Sequence, residues 1–294
     1  MSYFRCIAVV FIDKKKRTDL IAFTCLVMFF LANLNNQAVA AQPTFPVTQK
    51  TAINITHKIK LNKDCHLTFS WGPWRPYQYI NTRGELVGSQ IRLIHHIAGR
   101  IGCKVSFKKM FFSDALQAIE AGNIDATSHV KKTPERQKFA HFSEFYSKDY
   151  YAIYVLADKF HQYKNQTIEQ MLTKGFRLGI TKAHFYGREF KTIQENPLLN
   201  KTISEASDSY DNYPRLINGE IDGFIDNPFI AAYAIRNQKR QKHIVRHPTN
   251  FFGESISFMF SKKTVDLEVI HAINEVLAEL KTDPDYQKKW NFRL

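Results

Sequence analysis

The chain has 294 residues, 44% hydrophobic and 23% charged, which is enough apolar material for one large or two modest packed domains and excludes a disordered or fibrous chain. Its formal net charge is +14. The lysines and arginines are scattered rather than clustered, which argues against a nucleic-acid partner and leaves anionic solutes or an anionic membrane face as what such a surface concentrates.

The N-terminus reads as a targeting segment. Lys14, Lys15, Lys16 and Arg17 precede an apolar run over residues 20–34, too short for a comfortable membrane span, and Ala38 and Ala40 form a small-x-small pattern. Cleavage is expected after Ala40, giving an exported, periplasmic chain; retention as an anchor is the alternative. Residues 41–61 have weak periodicity and read as a loose mature N-terminus.

Of the four cysteines, only Cys65 and Cys103 follow the targeting segment, each just ahead of a predicted strand. If those strands are parallel neighbours joined by one helix, the sulfurs start level, and an oxidising compartment favours a disulfide. Two buried thiols are the alternative. The loop over residues 71–77 is rich in proline and aromatics, and Trp74 is its candidate platform for a ligand, against a simple hydrophobic lid. A helical stripe of Ile91, Ile94, Ile97, Ala98 and Ile101 follows. His95 and His96 are adjacent, carry no metal-ligand spacing and read as surface residues.

Residues 116–136 organise the chain. They run as the end of a helix, a glycine stop at Gly122, a short strand over residues 124–128, and a new helix capped by Thr133 with Pro134 in its first turn. Arg136 then sits beside the C-terminal end of a strand, where open α/β sheets bind ligands, and offers a fork of donors to a carboxylate or phosphate. A solvated helix-face arginine is the bland reading. Residues 213–228 repeat the grammar: helix, Gly219, a strand ending at Asp226, then Asn227 as cap and Pro228. One unit ends near a cation and the other near an anion, so two such lobes facing across a cleft would hold a small zwitterion between them.

The strand over residues 150–156 reads as a crossover, residues 176–180 as the first strand of the second lobe, and the loop over residues 181–186 as part of the cleft face. Residues 255–260 read as the return strand, followed by helices over residues 265–281 and beyond Pro284.

Arg75-Pro76-Tyr77-Gln78-Tyr79, Gly84-Glu85-Leu86-Val87-Gly88, Gly122-Asn123-Ile124-Asp125-Ala126, Thr133-Pro134-Glu135-Arg136, and Gly219-Glu220-Ile221-Asp222-Gly223 with Asp226 together resemble the family 3 extracellular solute-binding proteins, the periplasmic receptors for polar amino acids. The resemblance spans residues 65–290 and implies a type II periplasmic-binding-protein fold: two α/β lobes, a two-strand hinge and a ligand cleft between them. Lobe one is expected over residues 62–155 and 253–294, lobe two over residues 156–252. The resemblance casts Arg136 as the grip on a ligand carboxylate, Asp226 as the acceptor for its ammonium, and Trp74 as its aromatic cover. It implies a monomeric, non-catalytic receptor that needs no cofactor or metal and delivers a small polar solute to an inner-membrane ABC permease. The sequence departs from the pattern where a small hydroxyl residue is usual and this chain has Lys131, and at Ala183-His184-Phe185 in the second-lobe loop. His129 and His184 either replace the lost donors or fill the pocket. A dehydratase-like enzyme using His129, Lys131 and Glu254, or a ligand sensor, are the other roles open to this scaffold.

Overall fold

The computed structural model describes residues 64–237 and 243–290. Residues 1–63, which include the targeting segment and the loose N-terminus, and residues 238–242 and 291–294 lie outside the described residues.

The chain begins with β1 (Cys65–Trp71), a short hairpin of β2 (Tyr79–Ile80) and β3 (Leu86–Val87), and α1 (Ser89–Ile101). Gly88, between the hairpin and α1, has φ 135°, and a Cβ there would lie 2.0 Å from the Tyr77 carbonyl oxygen, so only glycine fits. Next come β4 (Cys103–Lys109), α2 (Phe112–Ala121), β5 (Ala126–Lys131), α3 (Pro134–Gln137), β6 (Ala140–Phe142) and β7 (Ser147–Leu156). Gly122 closes α2 in the left-handed conformation, φ 81°, as its sequence position predicts.

The second half holds α4 (Phe160–Tyr163), α5 (Ile168–Thr173), β8 (Leu178–Thr181), α6 (Arg188–Glu195), β9 (Ile203–Ala206), α7 (Asn212–Ile217), β10 (Gly223–Asp226) and α8 (Pro228–Asn237). It ends in β11 (Ile244–Ser261), α9 (Leu267–Lys281) and α10 (Tyr286–Trp290). Thr167 and Gln170 form the capping box that the sequence shows at the start of α5. The edge strand β9 was not expected; with one buried side chain in four residues it carries no hydrophobic signature.

The strands order as β4-β1-β5-β11-β7-β10-β8-β9. Parallel β4, β1 and β5 form one end and parallel β10, β8 and β9 the other, with the long antiparallel pair of β7 and β11 between them. Apolar clusters cover both faces at each end. At the first, Leu93, Ile101, Phe258 and Val276 lie on one face and Ile119, Val130 and Met259 on the other. At the second, Ile153, Leu178 and Phe190 oppose Tyr213, Phe224 and Ala231.

The β1–β4 register places Cys65 opposite Cys103, and the two are joined in a disulfide with a Cα–Cα distance of 4.5 Å. The bridge closes a loop of 38 residues, so the Cys65→Ser, Cys103→Ser double variant is expected to lose about 2–4 kcal/mol of stability in a urea melt. A loss below about 1 kcal/mol would mean that the parallel pairing alone holds this edge.

Candidate functional site

A cleft of about 810 Å³, counting its solvent-open mouth, lies where β1, β5 and β8 end. Its wall includes Trp74, Phe112, His129, Lys131, Arg136 and His184. Five of the six residues expected to bind solute are therefore brought together. Asp226 is not among the lining side chains.

Arg136 is placed by a short helix whose cap, Thr133, accepts a hydrogen bond from the Arg136 backbone N–H through Oγ1 at 3.3 Å. Its guanidinium is buried, stands 5.4 Å from the Phe112 ring centroid, and donates to the carbonyls of Lys131 at 2.8 Å and Ala183 at 2.9 Å. Burial lowers its pKa to about 10, so it stays charged at neutral pH. Among the described residues no carboxylate forms an ion pair with it. Three of its five N–H donors are left for a ligand.

Lys131 is differently placed. Its Nζ donates to Asp149 Oδ2 at 2.9 Å and to Tyr151 Oη at 2.8 Å, and both partners lie on β7. Asp149 also accepts from Asn227 Nδ2 at 2.6 Å and from the Tyr150 backbone N–H at 2.9 Å. Burial alone would raise the Asp149 pKa, but the Lys131 charge beside it outweighs burial and holds the carboxyl well below its usual range. Asp149 thus ties β5 of the first half to the start of α8 in the second. Nothing in the sequence motifs flagged it, although it lies on the buried side of β7 together with Ser147, Tyr151 and Ile153. A carboxylate in phase with an apolar strand face was the signal.

Asp226 lies one layer behind the cleft wall. Its oxygens accept from Tyr213 Oη at 2.8 Å and from the Asn227 backbone N–H at 2.7 Å, and burial raises its pKa to about 7. The carboxylate that does line the cleft is Asp208, whose Oδ1 accepts from the Tyr210 N–H at 2.8 Å and whose pKa burial also raises.

Trp74 is half-buried in the expected loop. Its ring packs edge-on to His129 with centroids 4.5 Å apart and lies 5.1 Å from Tyr77. His129 has φ 62°, and so does Ala183, whose carbonyl receives Arg136. Left-handed backbone at a non-glycine residue costs on the order of 1–3 kcal/mol and concentrates at functional sites; here one such residue puts its imidazole on the cleft wall and the other turns its carbonyl to Arg136. His184 packs edge-on against Phe112, 5.3 Å between centroids, and burial drives its pKa to about 3, so it is neutral. His96 is not the free surface residue expected: it packs 5.3 Å from the Trp290 ring. Among the described residues no group of three or more His, Cys, Asp or Glu side chains is placed to hold a metal ion, and no helix is long and apolar enough to cross a membrane.

The family model for bacterial extracellular solute-binding proteins, family 3, matches residues 70–292. The chain belongs to this family. It is 25% identical over 225 residues to the histidine-binding periplasmic protein of Salmonella typhimurium, covering 73% of this chain and 82% of that protein. Among solved structures, an ancestral arginine-binding protein bound to arginine superposes with a TM-score of 0.64 at 23% identity, covering 77% of this chain and 96% of that one. The ancestral amino acid-binding protein AncCDT-1, a precursor of cyclohexadienyl dehydratase, superposes with a TM-score of 0.63 at 22% identity, covering 77% and 94%. The fold is the two-lobe type II periplasmic-binding-protein fold, as the sequence resemblance implies, and the chain is a solute-binding protein.

Proposed function

We propose that this solute-binding protein captures a small solute with a carboxylate head, an amino acid or a related acid, in the periplasm and hands it to an inner-membrane ABC permease. The observation that carries this reading is Arg136, a buried guanidinium facing the cleft with no ion-pairing carboxylate among the described residues. A buried charge left without a counter-ion is costly, and an incoming carboxylate supplies one with bidentate geometry. The relatives named for histidine and arginine binding support a solute of amino-acid size.

Binding without turnover is favoured by the state of the cleft histidines. Burial takes the pKa of His184 to about 3, which makes it a poor general base at neutral pH, and burial also lowers that of His129. We place the protein as a monomer whose targeting segment ends at residue 40.

A thermal-shift and calorimetry screen of residues 41–294 against amino acids and small carboxylates tests the reading. A solute at 100 times its dissociation constant adds about 2.7 kcal/mol of stability. Arg136→Ala is expected to abolish that gain. A variant that binds the same solute undiminished would sink the proposal.

A further inference from the structure

Resting on Arg136 as the carboxylate clamp, we propose that Lys131 stands in for the solute's own ammonium group. The cleft then selects an acid with an uncharged, hydrogen-bonding body, such as a hydroxy or oxo acid, over the α-amino acid of the same skeleton.

Arg136, Lys131 and Asp149 are all buried, and only the last two neutralise each other. Arg136 is left without an ion pair among the described residues, which a solute carboxylate supplies, and Asp208 is the one carboxylate on the cleft wall. A solute ammonium would need a carboxylate of its own. Asp149 already accepts from Lys131, Asn227 and Tyr150, and Asp226 is closed off behind Tyr213 and Asn227. Lys131 lines the cleft at 3% exposure, and an ammonium approaching Asp149 meets it as a like charge in a desolvated site.

A second observation is independent of charge. Four residues of the same cleft carry buried polar atoms with no hydrogen-bond partner: the Trp74 indole N–H, Gln78 Oε1, both ring nitrogens of His129 and Thr181 Oγ1. The His129 Nε2 to Asp149 Oδ2 distance, 3.6 Å, is beyond a hydrogen bond. Buried polar atoms are nearly always partnered. This set offers donors and acceptors but no formal charge, which suits a hydroxyl, carbonyl or amide. Asp208 is the remaining carboxylate on the wall, with one oxygen occupied by the Tyr210 N–H.

The test compares matched pairs on residues 41–294 by calorimetry: lactate with alanine, phenyllactate with phenylalanine, imidazolelactate with histidine. At least one hydroxy acid is expected to bind about tenfold or more tighter than its amino acid. Lys131→Ser frees Asp149 to receive an ammonium and is expected to reverse that order. Should Lys131→Ser fail to fold, the Lys131→Met, Asp149→Asn double variant removes both charges and is expected to erase the preference. An amino acid binding the native chain as tightly as its hydroxy acid overturns the inference, as does binding of no hydroxy acid at millimolar concentration. If amino-acid binding is lost in Asp208→Asn, the ammonium acceptor is Asp208 and Lys131 has no such role. The clamp is judged separately: undiminished binding by Arg136→Ala would overturn Arg136 itself, whichever acid is preferred.

Discussion

Asp149→Ala is expected to lower folding stability by about 3–5 kcal/mol. The carboxylate is fully buried and accepts from three groups, the Lys131 ammonium at 2.9 Å, the Asn227 amide at 2.6 Å and the Tyr150 N–H, with the His129 ring 3.6 Å away. Removing it strands a buried ammonium among Tyr151 and the two histidines and leaves the Asn227 side-chain N–H without an acceptor. The Coulombic gain of such a pair is largely offset by desolvation, so the loss measures the cost of the stranded cation more than the worth of the pair. The Lys131→Met, Asp149→Asn double variant should accordingly recover much of the stability lost by either charge alone. Urea melts of the variants, read as a double-mutant cycle, check this. A cost below about 1 kcal/mol for Asp149→Ala would mean that the ammonium reaches water and that the hub is not sealed.

The second large effect depends on pH. Asp226 has a folded pKa of about 7 against an ordinary 3.8, because burial outweighs its bonds from Tyr213 and Asn227. Between those values the folded chain holds a proton that the unfolded chain has released. Stability from this group therefore falls as pH rises from about 4 to about 7 and is flat above that window. His184 acts in the opposite direction: its folded pKa of about 3 lies below the ordinary 6.5, so its contribution rises with pH up to about 6.5. The difference between the native chain and Asp226→Asn isolates the carboxylate. The amide keeps the shape and a carbonyl for the Asn227 N–H, and the variant is expected to gain on the order of 2–4 kcal/mol over the native chain at pH 8 relative to pH 4. Melting temperatures across pH 4–8 read it directly. An unchanged gap between the two proteins would mean that Asp226 is ionised throughout.

The local grammar of the chain was legible because each piece depends on nearby residues. Gly122 before a strand, Thr133 ahead of Pro134, Asn227 ahead of Pro228 and the Thr167–Gln170 box all announce helix ends through short-range chemistry. Arg136 followed from its place after a strand, and the level cysteines followed from one-helix spacing between parallel strands. Long-range pairing was not legible. Lys131 finds its counter-ion 18 residues on, in a strand whose register no local pattern fixes. Asp226 is turned from the cleft by Tyr213, a residue of the preceding helix whose reach depends on how that helix packs. The length of β11 was also hidden: Pro248 and Gly253 broke its apparent pattern, and the strand absorbs them as register shifts against β7.

The path of the chain through the sheet also sets the order in which it can fold. The core around α1 draws Leu67, Phe69, Ile94 and Ile97 from near the start of the described chain, and Phe258, Ile273, Val276 and Trp290 from its end. Tyr286 closes it by donating its hydroxyl to the Tyr146 carbonyl at 2.8 Å. The clusters around Leu178 and Phe224 draw instead on residues 151–251. During synthesis from the N-terminus, the central half has its whole core before the outer half does. The apolar side of α1 is covered only in part, by residues of β1 and β4, until about the last 40 residues arrive, and such sequence-distant closure is slow and exposes sticky surface. The outer half is then the last to consolidate, and the central half is the part that can stand as an intermediate.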